Sequence, residues 1–144
     1  MTAGEATRPN FPAPVADVDS EPFWAAAAEG RLRVQVGVGC ERGVFPPTPG
    51  RCPFCGLGLE WRYHESSASI YSWIGVDRAI FEWEAGLVPF SVVLARIDGL
   101  PDVKLPCLYP GPATELKAHQ PGSVRFGSAY GDGVRLMFDP AVDG

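Results

Sequence analysis

Cys52-Pro53-Phe54-Cys55-Gly56 decides the fold of this 144-residue chain. Two thiolates separated by two residues can hold one tetrahedral metal ion, because the turn points both sulfurs inward. Cys40 lies twelve residues upstream of Cys52, and Gly37 stands where a second Cys-x-x-Cys pair would begin. A structural zinc site needs four ligands. The spacing therefore predicts a zinc ribbon with ligands Cys40, Cys52 and Cys55 and with the fourth ligand missing at Gly37.

Two states of this cluster are compatible with the sequence. In one, the three sulfurs bind zinc and a water or another side chain is the fourth ligand. Glu41 and His64 are the nearby candidates for that ligand, and Cys107 is a remote one. In the other, the ribbon is degenerate and metal-free, and aromatic packing holds it together around Phe45, Phe54 and Trp61.

The composition excludes several classes of function. The chain carries 12 basic and 17 acidic residues, for a net charge of -5, whereas nucleic-acid binding depends on Lys and Arg that neutralise phosphates. The first twenty residues are polar and Pro/Ala-rich, which predicts an arm and not a signal peptide, and no apolar run approaches the roughly 20 residues of a membrane span. We therefore expect a cytoplasmic protein without a nucleic-acid or membrane partner, in which cysteines more often bind metal than form disulfides.

The chain divides into three predicted segments. Residues 1–19 form an extended arm without periodicity, residues 20–62 hold an N-terminal helix and the ribbon, and residues 63–144 form a barrel domain. Ser20 is a suitable helix N-cap, and Pro22 suits the first turn. Gly30 ends the helix.

Strand patterns dominate the rest of the sequence. Residues 31–36 alternate between charged and apolar side chains, which predicts one strand of the ribbon. Five further strands are predicted, at 69–76, 89–97, 103–109, 123–126 and 134–138, with a hairpin turn at 130–133. A longer connection separates the third from the fourth. This pattern predicts a mostly β chain that ends in a five-stranded barrel of the OB type.

No catalytic constellation is visible in the sequence. A general base needs a nucleophile or an orienting carboxylate beside it. His119 lies in a loop and is expected to be solvated, His64 follows the ribbon, and Cys107 is a lone thiol in an apolar strand that is expected to be buried. We therefore predict no catalytic residue.

Aromatic and basic residues outside the ribbon are candidates for contact with a partner or ligand. Phe23 and Trp24 are adjacent in the helix, so one of them packs on this domain and the other elsewhere. The loop 77–88 is either a short helix over the open end of the barrel or an exposed aromatic surface. Arg78 and Arg96 could bind phosphates or form ordinary surface ion pairs. The predicted contact residues are Phe23, Trp24, Phe81, Trp83, Arg78 and Arg96.

The order of these features resembles the acyl-CoA-associated zinc-ribbon/OB-fold proteins, known as domain of unknown function thirty-five. The matching segments are 21–24, 29–32, Cys40 with 45–47, 52–56, 59–61, 70–73, 89–90, 121–122 and 134–138. The resemblance implies an N-terminal helix, a rubredoxin-like ribbon and a C-terminal OB-fold. This sequence departs from the family pattern at the first Cys pair, where Cys-x-x-Cys-Gly is replaced by Gly37-Val38-Gly39-Cys40-Glu41.

The resemblance also implies a function. Such proteins are non-catalytic accessory subunits of thiolase-superfamily enzymes, which include acyltransferases, condensing enzymes and sterol side-chain aldolases of lipid metabolism. Their helix and ribbon dock on the enzyme, and the OB-fold lies near its acyl-CoA site. The implied cofactors are zinc in the ribbon and the CoA thioester substrate of the partner. The alternatives are a free-standing OB-fold protein that binds acyl-CoA or nucleic acid, and a small zinc or redox protein.

Overall fold

The computed structural model describes residues 14–82, 85–127 and 133–141. Within these ranges the chain forms one α-helix, eight strands and one 3₁₀ turn. In chain order they are α1 (Glu21–Ala28), β1 (Leu32–Gly37), β2 (Gly43–Val44), β3 (Leu59–His64), β4 (Ser67–Val76), β5 (Phe90–Ile97), β6 (Leu100–Tyr109), the 3₁₀ turn (Ala113–Glu115), β7 (Pro121–Gly127) and β8 (Arg135–Pro140).

Helix α1 begins where the sequence predicts, but its cap differs from the prediction. Pro22 lies in the first turn, and the backbone of Gly30 takes a φ of 77°, which a side chain would disfavour. Ser20 makes no side-chain cap on the helix. Its hydroxyl instead accepts from the amide of Asp17, whose carboxylate accepts from the amide of Ser20. The two residues therefore close a turn just before the helix.

The ribbon is a three-stranded antiparallel sheet in the order β2-β1-β3. Strand β1 alternates around Leu32, Val34 and Val36, which are 1–3% exposed. It pairs with β3 over its whole length, from Leu32 opposite His64 to Gly37 opposite Leu59. This pairing brings both ends of the cysteine-bearing segment to one end of the sheet.

The second sheet is a closed five-stranded barrel in the order β4-β5-β6-β8-β7. All of its pairings are antiparallel except β6 with β8, which is parallel. The predicted long connection is residues 110–120, which contain the 3₁₀ turn. These findings confirm the predicted mostly β fold with an N-terminal helix, a ribbon and a C-terminal five-stranded barrel.

One hydrophobic core joins the helix, the ribbon and the barrel. Phe23 from α1 and Val34 from β1 belong to the same buried cluster as Ile70, Val93 and Phe138 of the barrel. Burial of apolar surface is worth about 25 cal/mol per Å², so a continuous core of this kind holds the ribbon against the barrel. The division at residue 62 stays a prediction.

Part of the predicted detail has a different outcome. The hairpin turn at 130–133 lies largely outside the described residues, as does the arm up to residue 13. The described residues of the loop 77–88 form bends and turns and no α-helix. Leu87 packs in a small cluster with Phe90, Leu108 and Met137, while Ile80 and Phe81 are 81% and 58% exposed.

Candidate metal centre and contact surfaces

The sulfurs of Cys40, Cys52 and Cys55 converge at one end of the ribbon. All three lie within 4.8 Å of one another, and the sulfurs of Cys40 and Cys52 are 3.7 Å apart. With Zn–S bonds of about 2.3 Å, the edge of a tetrahedral zinc site is about 3.8 Å. Three corners of such a site are therefore present.

Two matching turns build this cluster. The first runs from Gly37 to Glu41 and the second from Cys52 to Gly56. In each, the amide of the fifth residue donates to the carbonyl of the first at 2.9 Å. Each fifth residue also has a left-handed backbone, with φ of 61° at Glu41 and 75° at Gly56. The chain therefore keeps the geometry of two metal-binding knuckles although the first has lost one cysteine.

Hydrogen bonds to sulfur distinguish the thiols. Backbone amides of Leu57 and then Gly39 lower the pKa of Cys55 to about 7, against the opposing effect of desolvation. At Cys40 the backbone amide of Arg42 acts in the same direction, but desolvation and the other two thiols outweigh it and raise the pKa. The amide of Phe54 donates to the sulfur of Cys52 at 3.4 Å. Thiolate is the form that binds a metal, and these amides stabilise it.

Gly37 occupies the place of the fourth ligand. A Cβ atom built on Gly37 would lie 2.6 Å from the sulfur of Cys52 and 2.7 Å from that of Cys40. The side-chain direction at residue 37 therefore points into the sulfur cluster, and the two sulfurs lie in the space that a fourth side chain would use. Three soft thiolates fit zinc, and a fourth ligand from this backbone position is missing.

None of the proposed substitutes for the fourth ligand joins the cluster. The only group of His, Cys, Asp and Glu ligand atoms found near enough in the described ranges is the three sulfurs themselves. Glu41 is paired with Arg62, whose other contact is Glu60. The Nδ1 atom of His64 lies 2.7 Å from the carbonyl oxygen of Glu65, and Cys107 is buried in the barrel core.

The two predictions on the remaining titratable groups agree with the structure. Cys107 is 2% exposed, and burial raises the pKa of its thiol to about 12. His119 is exposed in the loop before β7. Neither residue has the surroundings that activate a nucleophile or a base.

Phe23 and Trp24 are divided between core and surface, as the sequence indicates. Phe23 is 2% exposed and packs against the rings of Phe45 and Phe126, with centroids 5.4 and 6.4 Å away. Trp24 is partly exposed and lines an apolar groove of about 210 Å³ together with Val92, Leu108 and other residues. Phe23 therefore supports the helix from inside, and Trp24 is the member of the pair that a partner could reach.

The other predicted contact residues do not form one site. Phe81 and Arg78 are exposed in the loop after β4, whereas Arg96 lies on β5 near the ring of Tyr71. Trp83 lies outside the described residues. Tyr71 and Lys104 are neighbours of Arg96 that the sequence pattern did not indicate. The Asp98-Gly99 turn between β5 and β6 was the available signal, since it sets the register that brings Arg96 and Lys104 together.

A further feature that the sequence did not indicate connects the ribbon to the barrel. Arg42, directly after the first turn, makes two hydrogen bonds of 2.9 and 3.0 Å to Asp102 of β6. Its guanidinium also lies 3.7 Å from the ring centroid of Phe54. Phe54, which the metal-free alternative placed in the packing of the ribbon, is 44% exposed.

Comparison with known proteins identifies the ribbon. Residues 24–60 match the family model described as the ChsH2 rubredoxin-like zinc ribbon domain. Residues 24–60 are therefore similar to a ChsH2-type zinc ribbon. A solved structure described as an Ltp2-ChsH2(DUF35) aldolase has the same fold with a TM-score of 0.75 and 22% sequence identity, and the alignment covers 90% of this chain and 99% of that one. None of the curated proteins compared with the sequence matches it.

These matches confirm the resemblance to the zinc-ribbon/OB-fold family that was stated from the sequence. The match to the ChsH2-type ribbon spans both turns, including the one that begins at Gly37. Within the ranges that the structure covers, no helix is long and apolar enough to cross a bilayer.

Proposed function

We propose that this chain is a non-catalytic accessory subunit of a thiolase-like or aldolase enzyme. The observation that carries the proposal is the combination of a ChsH2-type ribbon with the fold of the chain in an Ltp2-ChsH2(DUF35) aldolase. The described titratable groups support the non-catalytic part, because His119 is exposed, Cys107 is buried with a raised pKa, and His64 contacts a backbone carbonyl.

The docking element in this proposal is the helix, through Trp24. Its ring lines an apolar groove and packs edge-on against the ring of Phe23, with the two centroids 5.0 Å apart. Large aromatic side chains at such positions dominate the binding energy of many interfaces. The helix therefore presents one ring to a partner while the neighbouring ring fixes its position.

Co-expression with a thiolase-like or aldolase enzyme of the source organism tests the proposal. We expect one complex on size-exclusion chromatography and an enzyme that is inactive or insoluble without this chain. Trp24→Ala should weaken the complex, whereas Lys117→Ala, in an exposed loop of the barrel, should leave it intact. An enzyme that is soluble, fully active and unbound in the presence of this chain would contradict the proposal.

We also propose that the barrel supports the acyl-CoA site of that enzyme, with Arg78 and Phe81 of the loop after β4 as contacts. A guanidinium can bind a phosphate oxygen of CoA, and an exposed ring can cover an acyl chain. The Kd of an acyl-CoA for the complex should rise in Arg78→Ala and stay unchanged in Lys117→Ala, an exposed cation of another loop. An unchanged Kd in both variants would remove the loop from the acyl-CoA site, and binding by this chain alone would favour a free-standing acyl-CoA protein.

Zinc in this proposal is structural. Cys40, Cys52 and Cys55 would hold the ion, which would tie the two turns of the ribbon together. Protein purified without chelator should contain zinc in near-equimolar amount by elemental analysis. Less than about a tenth of an equivalent would mean that packing alone holds the ribbon.

A further inference from the structure

Two cations stand directly opposite each other on the outer face of the barrel. Arg96 of β5 and Lys104 of β6 are register partners, and their charged ends lie 5.4 and 4.6 Å from the ring centroid of Tyr71 on β4. Like charges at such cross-strand positions lower stability. The Tyr71 ring offsets part of that repulsion by cation–π attraction. The pair is therefore a local electrostatic cost within an acidic chain of net charge -5.

These residues continue into the ribbon. Asp102, two positions before Lys104 on β6, accepts both hydrogen bonds from Arg42, and Lys104 helps to lower the pKa of Asp102, after the larger effect of Arg42. Arg42 in turn lies over the ring of Phe54. We call this set the cationic stripe: Phe54, Arg42, Asp102, Lys104, Tyr71 and Arg96. It holds three cations and one carboxylate, and that carboxylate is already bound to Arg42.

We propose that the cationic stripe is a docking surface for an acidic face of a partner protein, and that in the complex of the proposed function this face belongs to the enzyme. The proposal rests on that function for the identity of the partner. Charge complementarity supports it, because the stripe gathers positive charge on a chain that is acidic as a whole.

The shape of the stripe favours a protein over a small ligand. It follows the outer faces of β4, β5 and β6 and reaches the second cysteine turn, with Phe54 and Tyr71 44% and 48% exposed. Small-molecule sites are concave, whereas protein interfaces are enriched in aromatic residues and Arg. Arg96 and Lys104 already lie near the Tyr71 ring. Carboxylates of a partner could therefore bind both cations without a rearrangement of these side chains.

Charge reversal at Lys104 tests the stripe. In the complex with the enzyme identified under the proposed function, Lys104→Glu should raise the Kd about tenfold or more, mainly through a slower association rate. The matched control is Lys117→Glu, which makes the same charge change in a loop that is not part of the stripe, and it should change the Kd less than about twofold. The affinity of the wild-type complex should fall as NaCl rises from about 0.05 to 0.5 M.

A stability measurement separates docking from a structural role. Lys104→Glu replaces the repulsion from Arg96 by attraction, but it also replaces the attraction to Asp102 by repulsion. These effects oppose each other, so the stability of the isolated chain should change little. Weaker binding by an equally stable variant supports the stripe. If the wild-type complex forms and both lysine variants bind equally well, the stripe is not the docking surface although the proposed function stands. If no wild-type complex forms, both proposals fail.

Discussion

Replacing Gly37 by cysteine should convert the three-sulfur cluster into a complete zinc site. The backbone at residue 37 does not require glycine for its conformation, since its φ lies outside the left-handed range. Its amide already donates to the carbonyl of Arg42 at 3.0 Å, as the amide of Cys52 donates to Leu57 at 2.8 Å in the matching turn. A cysteine side chain would therefore begin in a turn that is already formed for it.

The space at residue 37 is occupied by movable atoms. The nearest atoms to a Cβ at this position are the sulfurs of Cys52 and Cys40, at 2.6 and 2.7 Å. Each sulfur is the end of a side chain that can rotate, and zinc at the centre would hold the sulfurs about 3.8 Å apart, with Zn–S bonds of about 2.3 Å. The close approach is thus relieved when a metal draws the four sulfurs to the corners of a tetrahedron.

The size of the effect follows from the energy of structural zinc sites. Such sites bind with about 10–16 kcal/mol from four ligands, or about 2.5–4 kcal/mol for each ligand. We expect Gly37→Cys to bind zinc about 100- to 1,000-fold more tightly than wild type. Competition with a chromophoric chelator at fixed pH would measure the ratio of the two dissociation constants.

Gly37→Ala is the matched control, because it adds the same Cβ without a ligand atom. It should bind zinc no more tightly than wild type and should be less stable, since the sulfurs must move without gaining a ligand. Equal zinc affinities of Gly37→Cys and wild type would refute the conclusion that residue 37 points at the fourth corner of the site.

Three further predictions test the packing of the fold. Gly43→Ala should destabilise the chain by about 1–3 kcal/mol in urea unfolding, because the added Cβ would lie 2.4 Å from Val103 in the barrel; Gly58→Ala, whose nearest neighbour is 3.8 Å away, should be close to neutral, and equal effects would contradict the contact. Burial raises the pKa of Cys107 from 9.0 to about 12, so its contribution to stability is full below pH 9 and is lost at about 1.4 kcal/mol per pH unit between pH 9 and 12; Cys107→Ala should lose less stability over this range, and an unchanged slope would contradict the burial effect. Phe23→Ala should cost about 3–5 kcal/mol by removing the ring that joins helix, ribbon and barrel, and a loss below about 1 kcal/mol would show that the shared core does not depend on it.

The sequence was sufficient for the fold because local signals agreed with one another. The Cys-x-x-Cys turn located the ribbon, and the alternating strands with Gly and Asp-Gly boundaries located the barrel. The strand predicted at 103–109 begins three residues earlier, at Leu100, because β6 pairs with β5 immediately after the Asp98-Gly99 turn. Ser20 is the N-cap residue, as predicted, but its hydroxyl makes no cap hydrogen bond because it accepts from the amide of Asp17 instead, a choice that propensity alone does not resolve.

The sites were less predictable because they depend on contacts between distant segments. Three sulfurs and the missing ligand at Gly37 follow from spacing, but the pairing of Glu41 with Arg62, 21 residues away, removes a candidate ligand that spacing had suggested. The same holds for the cationic stripe, in which Arg42 reaches Asp102 across 60 residues of sequence. Only the folded register of ribbon and barrel brings these groups together.

Reconstitution of this chain with a thiolase-like or aldolase enzyme of the source organism tests its role as an accessory subunit most directly. The two purified proteins would be mixed, the mass of the product measured by light scattering, and the enzyme assayed with and without this chain. We expect a stable heteromeric complex whose activity depends on this chain. Two separate species, with an enzyme that is as active alone as in the mixture, would contradict it.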